Sequence, residues 1–446
     1  MHTDHSSIEQ PPASIAGFRV FVDGAPRALV EGAAAMCLFE FDGIAHIEIV
    51  APAPFQRVVV RPLSSGIRPE IDGKTVRFTL RRPCDLSVEF DGDAAAPLFL
   101  FALPPETDVP AADDKDTIVF GPGLHQFQHE TLLLEAGRRV YLAPGAVVRN
   151  LTIAGNGSTR GVRIFGRGIL ENEPLPGNPR RPQGLAFAGS EDVEIEGITL
   201  VRRHGGWNIK LNKARDVRIR NIRIVSDSDC DDGIDICGSS DVLVEDCFIR
   251  TKDDCIAIKG FPPYLDTPEA PHPPAGERTM GEIAVRRCVL FNGIWGNPLE
   301  IGVETQGDLI QGIQFEDCDI IHALTHDPEV HYGALAIHHA GDAVISDVTY
   351  RNIRVEDCRM PLISVQVLLH DKYSYGVPRG RIARLRYENI NVVDGGISRS
   401  LLRGYDEQHP IEDVRINGIF FAGRPIGRRT EMNLKVGRHV HGFTFK

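Results

Sequence analysis

A nine-residue unit of the form D-V-x-I-x-N-I-x-I recurs along most of the chain and constrains the fold more than any other feature. It occurs as DVEIEGITL from residue 192, DVRIRNIRI from 216, DVLVEDCFI from 241 and EIAVRRCVL from 282. It continues as GIQFEDCDI from 312, DVTYRNIRV from 347, RLRYENINV from 384 and DVRINGIFF from 413, and GVRIFGRGI from 161 is an earlier copy. Successive starts from 192 onward are 24, 25, 41, 30, 35, 37 and 29 residues apart. β-rich units at such intervals, with insertions between them, indicate a parallel β-helix whose coils stack because none can bury its apolar face alone. The seventh position reads Ile222, Cys247, Cys288, Cys318, Ile353 and Ile390, an inward ladder, so its three cysteines are expected in the core rather than on a metal. The sixth position holds Asn221, Asp246, Asp317, Asn352 and Asn389, as expected where a polar side chain bonds the backbone at a turn.

Residues 17–103 hold short alternating runs (FRVFVDG, HIEIV, RVVVRP, VRFTL, LSVEF, LFLFAL) divided by Gly, Pro and Asp, which predict an antiparallel β-sandwich. Residues 1–16 read as a disordered tail and 104–116, rich in Pro and acid, as a linker, leaving 117–446 as a right-handed parallel β-helix. The fold class is therefore all-β. An open β-helix end exposes unpaired strands, and residues 120–150 together with the sandwich are expected to cover it.

Net charge is −12 with no Lys/Arg-rich block, so the electrostatic footprint of a nucleic-acid partner is missing. No run of about 18 apolar residues predicts a membrane span. The start MHTDHSSIEQPPAS lacks a basic segment followed by an apolar one, which suggests a cytoplasmic protein with reduced thiols; a secreted chain trimmed of its leader would read the same. Oligomeric state is not legible.

The chemistry concentrates in residues 225–260, VSDSDCDDGIDICGSSDVLVEDCFIRTKDDCIAIKG. Asp232 and Asp253 are 21 residues apart, about one β-helix coil, which predicts nearly one azimuth for the two, with Asp254 next to them. Carboxylates converging on one face raise one another's pKa, as a general acid and its partner base require. Asp216 and Asp241 are read instead as turn formers where strands begin. Asp227-x-Asp229-x-Asp231 imitates a calcium loop, but Gly233 falls one place late and Gly238 stands where the final Glu belongs.

The order CDDGID (230–235), KDDCIAIKG (252–260), GNPLEIG (296–302) on a β-helix resembles the polygalacturonases of glycoside hydrolase family 28 and the related family 49 dextranases. The likeness covers residues 117–446 and includes GGWNIKL around Trp207. It implies inversion without a metal or other cofactor, with Asp253 as general acid and Asp232 and Asp254 holding the attacking water. Two positions depart from polygalacturonases: Asn297 replaces their histidine, and Ala336-Ile337-His338 stands where Arg-Ile-Lys binds the substrate carboxylate. With no Arg or Lys there, and with WGNPLEIG and DIIHA (319–323) nearer the dextranase pattern, the substrate is expected to be a neutral α-glucoside. The alternative is a polygalacturonase-type hydrolase.

Candidate sugar-binding residues are Asn297, Glu300, His338, His339, Trp207, Lys259, Asp235, Tyr264 and His204, with Lys210 and Lys252 as further cations. The Pro-rich insertion 261–278, carrying Tyr264 and His272, is expected to wall the active face and favour a closed site that attacks chain ends. Two rivals share the fold: a calcium-dependent polysaccharide lyase, whose activity EDTA would abolish, and a glycan-binding β-helix without catalysis.

Overall fold

In the computed structural model the described residues are 17–446 apart from 33, 176–181, 204, 327–331 and 397. The tail expected over 1–16 lies outside them. The chain divides into two compact units, Met1–Thr107 and Asp108–Lys446.

The first unit is built from two five-stranded sheets. Val20, Val22, Ile47, Ile49 and Val76 from one sheet meet Cys37, Leu86, Val88, Leu98 and Leu100 from the other in one apolar core. The pairing is antiparallel with one exception: Leu98–Leu103 runs parallel to Ala35–Glu40. Alternation along a strand reports which face is buried but not the direction of its neighbour, so this pair was not readable from sequence.

In the second unit 32 strands form one continuous sheet, and through most of it each strand pairs with the strand three places on. That is three strands per coil of a parallel β-helix. The stretch expected as a linker is tied to it: Asp108 pairs with Arg163, and Asp114 accepts from Thr117 Oγ1 and, at 2.6 Å, from Arg139.

The polar letters of the repeat are explained by backbone conformation. Position one has φ of 50° at Asp216, 57° at Asp241 and 57° at Asp347; position six has 52° at Asn221, 55° at Asp246 and 54° at Asn352. Asn, Asp and Gly enter this left-handed region most readily, so they mark the two bends of each unit. At position six Asn389 donates to Asn352 (2.8 Å) and Asn352 to Asp317 (2.9 Å). These side chains bond each other between coils, not the local backbone as expected.

The sheet that positions the site consists of Ile209–Asn212, Ile234–Cys237, Ile256–Lys259, Leu299–Val303, Leu335–His339 and Ile363–Val367, all parallel. Ile209, Ile234, Ile256, Leu299, Leu335 and Ile363 stack into the core. Burying each such side chain is worth about 1.5–3 kcal/mol, and a one-residue slip would turn the polar set inward instead, so the register is fixed. The next residues along, Lys210, Asp235, Ala257, Glu300, Ala336 and Ser364, therefore point away from the core.

Candidate active site

Upstream of those strands, backbone bonds keep the coils in step: Asn208 N to Asp232 O (2.8 Å), Gly233 N to Asp254 O (2.8 Å) and Cys255 N to Asn297 O (3.0 Å). The register lays Trp207, Asp232, Asp254 and Asn297 in one row along the helix. Gly206, Asp231, Asp253 and Gly296 form the row beside it. Asp232 thus shares a row with Asp254 rather than Asp253, because the coil here is 22 residues, one more than the expected spacing. The three carboxylates still converge, with Asp253 on the diagonal.

Each is held by its surroundings. Asp231, fully buried, accepts at Oδ1 from the amides of Lys252 (3.0 Å) and Asp253 (2.9 Å) and at Oδ2 from Ser228 N (3.0 Å). The Asp253 carbonyl accepts from Thr251 Oγ1 (2.8 Å) and Asn292 Nδ2 (2.7 Å). Asp254 Oδ1 accepts from Asn297 N (2.7 Å) and Nδ2 (3.0 Å), and Asn297 Oδ1 in turn accepts from Gly333 N (2.8 Å). Gly296 packs on the Asp253–Asp254 peptide so closely that any Cβ would collide with it. Lys259 Nζ donates to Asp232 Oδ2 (3.1 Å) and Asp235 Oδ1 (2.6 Å) and lies 4.0 Å above the Trp207 ring.

Burial, and then the charge on Asp232, push Asp253 up to about 8. Asp254 is also raised well above the usual carboxylate range, by burial and then by Asp253, Asp232 and Glu300. A carboxyl that keeps its proton at neutral pH, next to a carboxylate paired with Lys259, is what proton donation to a leaving oxygen needs.

Other expected site residues have different positions. Asp235 and His339 have no exposed surface, so neither offers an atom to a sugar. Asp235 is instead a counter-ion to Lys259, and His339 Nδ1 pairs with Thr305 Oγ1 at 2.6 Å, with burial lowering its pKa to about 3. Lys259 is spent on the carboxylates rather than free for substrate. Glu300 and His338 form a buried chain: His338 Nδ1 lies 3.0 Å from Glu300 Oε2, and its Nε2 lies 2.9 Å from Ser364 Oγ. Tyr264, at the surface, reaches Glu304 Oε1 (3.2 Å), while His272 is held down at about 4 by burial. His204 lies outside the described residues. Asn292 and Glu304 were not singled out from sequence, and Asp231 was named only in the imitation of a calcium loop. The 22-residue register would have pointed to Asp231; Asn292 and Glu304 carry no local signal.

The family model described as glycosyl hydrolases family 28 matches residues 145–419. A probable polygalacturonase from Vitis vinifera is 30% identical over 129 residues, covering 28% of this chain and 25% of its own length. An exopolygalacturonase from Arabidopsis thaliana is 30% identical over 118 residues, covering 25% of this chain and 26% of its own. The matched stretch is thus about a quarter of these relatives. Dex49A from Penicillium minioluteum has a similar fold, with a TM-score of 0.60 at 14% identity over 98% of this chain and 95% of its own.

Proposed function

The chain belongs to glycosyl hydrolases family 28, and from that premise we propose that it hydrolyses an α-linked oligo- or polysaccharide with inversion of configuration. Asp253 protonates the leaving glycosidic oxygen while Asp232 and Asp254 hold the attacking water, with Asp232, the carboxylate paired with Lys259, taking its proton. The observation that carries this is the convergence of Asp232, Asp253 and Asp254 on neighbouring coils with Lys259 Nζ on Asp232, an arrangement in which burial and the charge on Asp232 raise Asp253 to about 8. Inversion requires such a division of roles between carboxyl groups on opposite sides of the bond.

For the substrate we favour a neutral sugar. Ala336 follows Glu300 on the outward ladder, and His338 is engaged with Glu300 rather than free as a cation. Neither Ala336 nor the engaged His338 supplies the bidentate Arg or the Lys that a substrate carboxylate would need at these positions. The name Dex49A belongs to a protein whose fold this chain shares. The second reading, hydrolysis of pectic galacturonides, is favoured by the sequence relatives, which are named polygalacturonases.

Proton NMR of fresh products from isomalto-oligosaccharides and oligogalacturonides, with EDTA present, tests both. A β-anomer appearing first from an isomalto-oligosaccharide is the expected result, and the same anomer from galacturonides alone would select the second reading. Asp253→Asn should fold normally and lose at least about a hundredfold in kcat. Full activity in that variant would overturn the assignment.

A further inference from the structure

The row that carries the catalytic carboxylates is not uniform along the helix. From Asp232 it runs one way through Asp254 and Asn297 to Gly333, whose amide meets Asn297 Oδ1 and which adds no side chain. One coil the other way, the same position is Trp207. Trp207 is held at its backbone and at its ring. Arg202, itself 1% exposed, donates to the Trp207 carbonyl (3.1 Å); Lys259 covers one ring face; and Tyr264 stands with its ring centre 6.5 Å away, tilted by 59°.

Tyr264 is there because the insertion 261–278 runs backwards. It leaves the sheet after Lys259, and its Leu265 carbonyl accepts from Asn212 Nδ2 (3.2 Å) and Lys213 Nζ (2.6 Å), two coils earlier. The Glu269 carbonyl then packs so tightly that a Cβ on Gly157 or Gly189 would meet it at 3.2 or 3.4 Å. Tyr264 is also tied forward, by its hydroxyl to Glu304 and by its ring to Tyr375 at 6.4 Å. Tyr264 and Tyr375 keep 46% and 37% of their surface exposed, which leaves faces for a sugar ring.

Taking the hydrolase reading as its basis, we propose that Trp207 and Tyr264 close the groove on the coil before Asp232. The enzyme then binds chain ends and releases a product of one short length. A chain attacked internally would have to continue across the Trp207 position, whereas in the other direction the same row position is Gly333, which has no side chain. The terminal sugar packs its apolar face in the aromatic corner.

The test uses the full chain carrying Asp253→Asn and titrates it with isomalto- and galacturono-tetrasaccharides that are unmodified, blocked at the reducing end, or blocked at the non-reducing end. One block should weaken binding by at least about tenfold and the other leave it unchanged. Tyr264→Ala, at a surface position, should restore binding of the rejected form, as should Trp207→Ala provided its circular dichroism is native. Equal binding of both blocked forms, or unchanged discrimination in both variants, overturns the closure while leaving the hydrolase reading intact. Absence of binding by every tetrasaccharide overturns that reading and this one together. With the active enzyme, products of mixed length at the earliest times would also overturn the closure.

Discussion

Asp231 and Asp253 occupy neighbouring coils of one row, and the amide of Asp253 is bonded to the carboxylate of Asp231. Asp231 therefore positions Asp253 by its bonds and raises its pKa by its charge. Asp231→Asn keeps an acceptor oxygen but removes the charge, so the pKa of Asp253 should fall. Under the proposed assignment Asp253 must hold its proton as general acid, hence the alkaline limb of kcat/KM should move to lower pH in this variant, which a pH–rate profile reads directly. A residue with only a packing role would lower kcat without moving the limb. Stability has a definite sign too. Asp253 is raised from about 3.9 in an unfolded chain to about 8, so its contribution is complete below the lower value and is lost as pH rises through the upper. Asp253→Asn should accordingly melt higher than the natural protein at pH 9, with the gap closing near pH 5; equal melting at both would sink the idea. The carboxylate trio was legible because a coil converts sequence spacing into proximity. The buried roles of Asp235 and His339 were not: a strand's letters do not say that Lys259 takes the outward Asp235 as a counter-ion, and His339 falls in phase with the inward Leu335 and Ile337, where a polar letter hides its partner Thr305.

At the scale of the repeating unit, the sequence declared its fold because every coil bends at the same two places. Those bends select Asp, Asn and Gly for their left-handed backbone, and the selection printed the repeat. Asn352→Val should therefore cost about 1–2 kcal/mol from backbone alone, plus the bonds to Asp317 and Asn389, while Asn352→Gly should lose chiefly the bonds. Thermal melts of the two variants separate the contributions; a valine variant as stable as the glycine one would refute the conformational origin of the repeat. Glu282, Arg287 and Arg384 hold the same bends without being favoured residues, which is why those copies read less clearly. Three cysteines, Cys247, Cys288 and Cys318, stack fully inside, as their shared phase implied. What the repeat could not convey is the path of an insertion. Residues 261–278 look like a loop at one coil, yet they run back over earlier ones, because the contacts that steer them (Leu265 with Asn212 and Lys213) lie more than fifty residues apart.

Across the whole molecule, charge separates the two substrate readings. The chain carries a net charge of −12, and three cations beside the carboxylates are already paired: Lys259 with Asp232 and Asp235, Arg250 and Lys252 with Asp227. An anionic oligosaccharide thus approaches a surface whose long-range field repels it. Repulsion reaches about 30 Å at 0.01 M salt but only about 8 Å at 0.15 M. Raising salt across that range should increase kcat/KM for oligogalacturonides and leave it flat for isomalto-oligosaccharides of the same length. The comparison is internal, since both substrates see the same acid, water and aromatic corner, and only the sugar charge differs. If galacturonide turnover instead falls with salt, a local cation such as Lys252 has been freed from its carboxylate by the substrate. The site would then read uronates by rearranging its own ion pairs rather than by the missing Arg and Lys.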